Sequence, residues 1–154
     1  MMKWHDAEEW VALMDGTACP VCRRGQPLDV VCELEAAWVT MNEQAPMRGY
    51  ACLVSKRHVV ELHDLTEAEG AAFMRDAQRL SRAIATATGA VKINYEIHGN
   101  TMPHLHMHLF PRYRGDPFEG GPVNPQAIAV RVYAEGEFVR LHQQLISELA
   151  GGPA

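Results

Sequence analysis

The sequence lacks the features of a membrane or secreted protein. No apolar run approaches the roughly 18–20 residues that a bilayer-spanning helix needs, and residues 1–6 have neither the basic start nor the apolar run of a signal peptide. Clusters of Lys and Arg are also absent, and the net charge is −5 with neutral histidines. Because binding to a nucleic-acid backbone relies on such clusters, we expect a cytoplasmic protein whose partner is neither nucleic acid nor a membrane.

Repeats, low-complexity tracts and long linkers are absent as well. The 154 residues fit one domain, and a hydrophobic content of 47% is sufficient for a buried core. The composition therefore predicts a single domain over residues 1–154.

Cysteines are few, but their spacing is informative. Because disulfides are uncommon in a reducing compartment, a closely spaced pair of cysteines indicates metal or redox chemistry. Cys19 and Cys22 form such a pair. Cys32 and Cys52 lie in apolar stretches, and we expect them to be small buried side chains.

Hydrophobic periodicity and turn residues predict an α+β fold. Thr66 and Glu69 have the spacing of a capping box, and apolar residues spaced by three and four follow them until Gly89. No regular β-α-β alternation is present, which favours an antiparallel sheet of about five strands with a main helix and terminal helices. The predicted strands span 28–34, 37–41, 50–54, 91–98 and 104–110. The predicted helices span 4–14, 66–89 and about 135–149, and the loops span 17–25, 42–49, 99–103 and 115–125.

Residues 104–109 carry the pattern with the clearest chemistry, because three histidines alternate there with apolar residues. On a strand, His104, His106 and His108 would lie on one face at about 6.6–6.8 Å spacing. The apolar residues between them would face the core. A strand anchored in this way is a rigid support for reactive groups.

Two other interpretations of this pattern remain open. The histidines could have no chemical role, although strict alternation of three disfavours this. They could instead bind one catalytic metal ion. Consecutive positions on one face of a strand are less suited to converging on one ion than ligands from several elements are.

Residues 99–112 resemble the signature of the histidine-triad superfamily. In that family three histidines alternate with hydrophobic residues, after a turn of the Gly-Asn-Thr type and before Pro-Arg. Similar segments follow the family's order upstream, at residues 41–49, 53–58 and 62–66. The resemblance covers roughly residues 19–113.

The resemblance implies a nucleotide hydrolase that acts on the α-phosphate of a dinucleoside polyphosphate or a nucleoside phosphoramidate. His106 would be the nucleophile and would form a covalent nucleotidyl-histidine, with the carbonyl of His104 fixing its tautomer. His108 would donate a hydrogen bond to the phosphate. Relatives that transfer nucleotides tend to carry Gln at this third position, so His108 favours hydrolysis. The chemistry itself needs no cofactor.

Four further residues are candidates for nucleotide binding. The resemblance places Asn42 at the ribose, although an ordinary turn asparagine explains this residue equally well. Asn100 and Thr101 precede the triad and would hydrogen-bond the phosphate oxygens. His98 is on the polar face of the preceding predicted strand, where it would either line the site or face solvent.

Two alternative functions remain open beside hydrolysis. One is a nucleotidyl transferase or phosphorylase that uses the same intermediate, and the other is a nucleotide-binding module with little turnover. An intact His106 disfavours the module. Dimers are common among relatives, so a homodimer is expected. The chain has Gly49-Tyr50 where many relatives have Gly-His, and Ser55 where many have Pro, which affects substrate preference more than mechanism.

The Cys-x-x-Cys segment has the form of a metal-binding loop. A thioredoxin-type redox motif or a pair of unmetallated thiols would be the alternatives. Several histidine-triad proteins bind structural zinc through such a pair and two histidines. Carried over by the resemblance, the ligands would be Cys19, Cys22, His58 and His104. Four protein ligands close the tetrahedron, so this zinc would be structural.

Overall fold

The computed structural model describes residues 4, 6–124, 126 and 131–151. Its strands are β1 Val30–Glu33, β2 Ala37–Thr40, β3 Ala51–Ser55, β4 Lys92–Glu96 and β5 His106–Arg112. Its helices are α1 Ala7–Met14, α2 Pro20–Arg24, α3 Glu67–Thr88 and α4 Glu137–Gly151, and a short 3-10 helix spans Leu62–Asp64. None of the helices in these ranges combines the length and the apolar character that crossing a bilayer requires.

The five strands form one antiparallel sheet in the order β1-β2-β3-β5-β4. This confirms the predicted α+β fold and the predicted number of strands. β5 is an interior strand, so its backbone is held on both sides. In the register, Thr40 is opposite Cys52 and Cys52 is opposite His108. Residues opposite one another share a face of the sheet, so these three side chains lie in one row.

α3 covers the other face of the sheet. Its predicted capping box is present, because the Thr66 side chain accepts from the Glu69 backbone N–H and the Glu69 side chain accepts from that of Thr66. The helix ends at Gly89, which has a φ of 69°. The helix, the sheet and α4 share one core, which contains Phe73, Leu80, Leu53, Met107, Leu109 and Leu145. The face with His108 is therefore not covered by α3 or α4.

Two predicted boundaries at the N-terminal end were wrong. The first helix was expected from residue 4, but it begins at Ala7 because the Asp6 side chain accepts a hydrogen bond from the Glu9 backbone N–H and caps it. Residues 17–25 were expected to be a loop, but they contain α2. Proline is tolerated in the first turn of a helix, and Gly25 ends α2 with a φ of 78°.

β4 was expected to bury one face, but only Ile93 of its apolar residues is buried. Val91 and Ile97, which flank the strand, are exposed, and so is Tyr95. β4 is at one edge of the sheet and contacts α3 at Ile93, which belongs to the core, whereas Tyr95 and Ile97 further along are exposed. The alternation of apolar and polar residues predicted the strand correctly but did not predict how few of its apolar side chains are buried.

β5 begins two residues later than expected, so His104 does not share a strand face with the other two histidines. The Leu105 backbone donates to Val59 O at 2.7 Å and accepts from Ser55 N at 3.0 Å. These bonds tie the chain before β5 to residues 55–59, and the ring of His104 faces a different set of neighbours. The predicted loop over 115–125 is irregular through residue 124, and residue 125 lies outside the described residues.

Candidate active site and thiol–imidazole cluster

His106 is the first residue of β5 and has a fixed tautomer. Its Nδ1 lies 2.6 Å from the backbone oxygen of His104. A carbonyl oxygen only accepts, so Nδ1 carries the proton and Nε2 keeps its lone pair. The side chain is half-buried. With Nδ1 donating to the carbonyl, Nε2 is the His106 nitrogen available for nucleophilic attack.

His108 lies beside His106 on the same face, with ring centroids 4.8 Å apart. Its Nδ1 is 2.6 Å from the hydroxyl oxygen of Tyr50. Burial lowers the pKa of His108 to about 4, and the neighbouring His106 and His98 contribute further. At neutral pH the ring is uncharged, and it has one N–H to donate.

A cavity of about 500 Å³ lies next to His108. Tyr50 and Phe110 form part of its wall, and their rings stack at a centroid distance of 4.9 Å. His98 also lines the cavity, with its Nε2 2.9 Å from Glu96 Oε2 and its ring 5.6 Å from that of His108. The side chain of His98 is 51% exposed. His98 thus combines both predicted placements, since it borders the cavity and contacts solvent.

A larger cavity of about 790 Å³ lies between β4 and residues 112–122. Arg112, on its wall, is engaged by both carboxylate oxygens of Asp116 and by Asn94 Oδ1 at 2.6 Å. These groups are bonded to one another and hold the loop against the sheet. The smaller cavity beside the histidines is the better candidate for the active site.

Asn42 lies exposed after β2 and has the geometry of a turn residue. Its Oδ1 accepts from Gln44 N at 2.7 Å, and its Nδ2 donates to Asp29 Oδ2 at 2.8 Å. The turn role is therefore present, and the ribose role stays a prediction. Asn100 and Thr101 are exposed in the connection between β4 and β5, and their phosphate role also stays a prediction.

The four residues predicted as metal ligands come together in one cluster, and their ligand atoms all lie within 4.8 Å of one another. His58 Nδ1 is 3.1 Å from His104 Nδ1 and 3.3 Å from Cys22 Sγ. His104 Nδ1 is 3.4 Å from Cys19 Sγ and 3.8 Å from Cys22 Sγ. Tetrahedral zinc with usual bond lengths sets ligand separations of about 3.3–3.8 Å. The four separations given above, 3.1–3.8 Å, are close to those of a zinc site.

Both histidines of the cluster are oriented by backbone carbonyls. His58 Nε2 donates to Met14 O at 2.8 Å, and His104 Nε2 donates to Ser55 O at 2.7 Å. The lone pairs are therefore on the Nδ1 atoms, which face the thiols. Burial lowers the pKa of His104 and keeps it neutral. Neutral imidazoles oriented by second-layer acceptors are characteristic of metal ligands.

The redox interpretation of the two thiols is less well supported. A thioredoxin-type pair would lie between a strand and a helix. α2 does follow Cys19, contrary to our expectation of a loop, but α1 rather than a strand precedes it. Cys19 and Cys22 are not disulfide-bonded. The cluster histidines approach both sulfur atoms, which favours a metal.

His104 connects the cluster to the candidate nucleophile. Its side chain belongs to the thiol–imidazole cluster, and its backbone oxygen accepts the Nδ1 proton of His106. The sequence pattern did not predict that Tyr50 contacts His108 or that Asp29 contacts Asn42. The signal available for the contact between Tyr50 and His108 was Tyr50 itself, because the family resemblance leads us to expect a histidine after Gly49.

The fold and site together define a single-domain α+β protein with paired histidines on an interior strand. The HIT domain model matches residues 23–115, more than half of the 154-residue chain, and the protein therefore belongs to the HIT domain family.

Two curated relatives are similar over part of their length. The bis(5'-nucleosyl)-tetraphosphatase (asymmetrical) of Schizosaccharomyces pombe is 29% identical over 89 residues, which is 54% of this chain and 48% of that protein. The AP-4-A phosphorylase of Mycobacterium tuberculosis is 30% identical over 93 residues, or 56% and 48% of the two chains. The chain thus spans about half the length of the curated relatives it matches.

Solved structures agree over more of the chain. A histidine triad protein from Bradyrhizobium japonicum is 27% identical, with a TM-score of 0.70 over 78% of this chain and 89% of that chain. A zinc-bound histidine triad family protein from Mycobacterium smegmatis is 22% identical, with a TM-score of 0.63 over 87% and 94% of the two chains. The second match shows the fold alone.

Proposed function

We propose that this protein is a nucleotide hydrolase that cleaves at the α-phosphate of a dinucleoside polyphosphate or a nucleoside phosphoramidate. The observation that carries the proposal is the hydrogen bond from His106 Nδ1 to His104 O, which leaves the Nε2 lone pair for attack. The names of the tetraphosphatase and phosphorylase relatives support a nucleotide conjugate as substrate.

In the proposed reaction, His106 Nε2 attacks the α-phosphorus in line. A P–N bond forms, and the bond from phosphorus to the leaving group breaks. Water then attacks the nucleotidyl-histidine, which releases a nucleoside monophosphate and restores His106. Phosphoryl transfer depends mainly on positioning and on neutralising the oxygens. The N–H of neutral His108, adjacent to His106, would donate to one of those oxygens.

The nucleotide itself would bind along the open face of the sheet. Asn42 would hold the ribose, and the Asp29 carboxylate bonded to it adds an acceptor for a hydroxyl group. Asn100 and Thr101 would donate hydrogen bonds to the phosphates, and His98 would line the cavity. The proposed roles of Asn42, Asn100 and Thr101 follow from the family resemblance, and that of His98 follows from its place on the cavity wall.

Transfer of the nucleotide to an acceptor other than water is the second candidate. The relative named a phosphorylase favours it, because the same covalent intermediate serves both reactions. His108 at the third position favours hydrolysis. A binding module with little turnover would not need the tautomer of His106 to be fixed.

We also propose that Cys19, Cys22, His58 and His104 bind a structural zinc ion. The ligand separations and the two oriented imidazoles support this, and one solved neighbour is zinc-bound. The ion would supply no chemistry to the reaction and would fasten α2 to residues 55–59 and to the chain before β5. Because thiolate ligands persist in reducing compartments, we propose a cytoplasmic location.

A homodimer is the proposed assembly. β4 is an edge of the sheet, and the exposed Val91 and Ile97 flank it. Such edges tend to be paired or covered in native proteins. Light scattering should give twice the 17.1 kDa mass of the chain; a mass of one chain at micromolar concentration would contradict this assembly.

The test of the function is release of nucleoside monophosphate from diadenosine polyphosphates, adenosine phosphoramidates and nucleotide sugars. Turnover should disappear in His106→Ala and persist in His63→Ala, since the His63 side chain is 83% exposed and lies outside both sites. Addition of phosphate tests the second candidate, because a phosphorylase would release a nucleoside diphosphate. Equal turnover in His106→Ala and the wild type would refute the proposed nucleophile.

A further inference from the structure

Tyr50 is the residue in closest polar contact with His108. Its hydroxyl oxygen lies 2.6 Å from His108 Nδ1. Its ring is roughly parallel to those of His108 and Phe110, with interplanar angles of 18° and 26°. The hydrogen bond therefore joins two side chains whose planes are both held by packing.

The direction of this hydrogen bond follows from the chemistry of its partners. Burial raises the pKa of Tyr50, so the phenol keeps its proton. Burial also keeps His108 neutral, so one of its two nitrogens is an acceptor. A phenol O–H is a stronger acid than the N–H of a neutral imidazole, and an imidazole nitrogen is a stronger base than a phenol oxygen, so the phenol is the preferred donor. Nδ1 of His108 is then the acceptor, and the ring proton is on Nε2.

The other groups around His108 do not replace this bond. His106 faces it at 4.8 Å between ring centroids, and His98 faces it at 5.6 Å with its own Nε2 bonded to Glu96. The Cys52 thiol is opposite His108 on β3, and burial raises its pKa to about 12, so it stays uncharged. Among the described residues, only Tyr50 is hydrogen-bonded to the His108 ring.

Tyr50 is itself held in place from the C-terminal part of the chain. The hydroxyl of Tyr133 accepts from Gly49 N at 2.9 Å, and the hydroxyl of Tyr113 donates to Arg48 O at 2.7 Å. Arg48 also forms an ion pair with Glu137 at the start of α4. The segment before Tyr50 is thus held by two backbone hydrogen bonds and one side-chain ion pair from outside the sheet.

We propose that Tyr50 is a positioning residue whose hydroxyl donates to Nδ1 of His108 and so keeps the His108 proton on Nε2, where it faces the substrate. This inference rests on the proposed function, in which that N–H donates to the phosphoryl oxygens or to the leaving group. A histidine with the other tautomer would present a lone pair to an anionic phosphate, which is unfavourable. Tyr50 therefore selects the form of His108 that the reaction needs.

The kinetic test compares three variants with the wild type on the best substrate. Tyr50→Phe keeps the stacked ring and removes only the hydroxyl, and it should lower kcat about tenfold with little change in KM. Tyr50→His restores an N–H donor and should recover most of kcat. Tyr95→Phe removes an exposed hydroxyl elsewhere and should leave kcat unchanged. A wild-type kcat in Tyr50→Phe would overturn the inference.

The tautomer test is independent of turnover. In protein labelled with ¹⁵N-histidine, NMR should show His108 Nδ1 as the unprotonated nitrogen and Nε2 as the protonated one. In Tyr50→Phe the two tautomers should mix, whereas Tyr95→Phe should match the wild type. A protonated Nδ1 in the wild type would overturn the inference. If no compound is turned over, the proposed function fails, and the NMR result still decides the role of Tyr50.

Discussion

Gly49 occupies a position where a side chain has no room. Its φ is 78°, and a Cβ at this residue would lie 2.5 Å from Thr88 Cγ2. Gly89 has a similar φ of 69°, but a Cβ there would have no atom within 4 Å. Alanine substitutions at the two glycines therefore distinguish the loss of stability caused by the left-handed backbone from the loss caused by a steric clash.

We expect Gly89→Ala to lower the free energy of unfolding by about 1 kcal/mol, because only the left-handed backbone conformation is penalised. Gly49→Ala should lower it by about 1–3 kcal/mol more, because Thr88 must move. Urea unfolding of both variants measures the difference. Equal losses in the two variants would show that Thr88 yields without cost. Because Gly49 precedes Tyr50, Gly49→Ala should also lower kcat.

At the scale of the element, α2 owes its position to the thiol–imidazole cluster. The helix spans only five residues, and isolated helices of this length are not stable in water. Cys19 immediately precedes the helix and Cys22 lies within it, so both thiols join the helix to His58 and His104. An ion in the cluster would hold α2 against the sheet.

The protein should therefore contain about one zinc ion per chain and lose it in Cys22→Ser. Chelation should lower the unfolding temperature of the wild type and leave that of Cys22→Ser unchanged, since structural zinc contributes directly to folding. Cys32→Ser is the matched control, because Cys32 lies outside the cluster. Elemental analysis and thermal unfolding measure the two effects. A full zinc content in Cys22→Ser would exclude the proposed ligand set.

Elements with local signals could be predicted from the sequence, and elements defined by distant contacts could not. α3 was predicted because its cap, apolar stripe and terminal glycine lie within its own residues. α2 was missed because five residues are too few to show a helical period, and its buried side chain, Val21, and the thiol of Cys19 before it contact residues far along the chain. The alternating pattern placed His104 on the strand. The pattern does not reveal that the Leu105 backbone bonds to Ser55 and Val59 before β5 begins.

The candidate site likewise contains features that local signals predict and features that only distant contacts define. The nucleophile and the four cluster residues came from local motifs and a family resemblance. The contact between Tyr50 and His108 joins residues on different strands, and no spacing rule predicts it. The sequence predicts that the Gly49-Tyr50 departure affects substrate preference, whereas the structure places Tyr50 in contact with His108.

For the whole molecule, the half-buried His108 makes stability depend on pH. Its pKa is about 4 in the folded protein and about 6.5 in the unfolded chain. Between these values the unfolded chain binds more protons, so the free energy of unfolding falls as pH decreases from about 6.5 to 4. Below about pH 4 the loss of stability caused by His108 no longer changes with pH, and above about pH 6.5 this loss is absent.

Urea unfolding at pH 7 and pH 5 measures this effect. The wild type should lose stability between the two values, and His108→Gln should lose less because it cannot be protonated. His63→Gln should behave like the wild type, because that side chain is 83% exposed. An identical pH dependence in His108→Gln and the wild type would mean that other groups, such as His104, account for the loss.

The double role of His104 links the two sites through a single residue. Its ring faces the thiols and its carbonyl holds the proton of His106, so a displacement of this residue would reach both sites. A designer who transplants the histidines of β5 into another scaffold must also supply a support for that carbonyl, such as the backbone bonds from Leu105 to residues 55 and 59. A substitution in residues 19–25 that displaced the His104 ring would likewise reach the nucleophile without altering any residue of the strand that carries it.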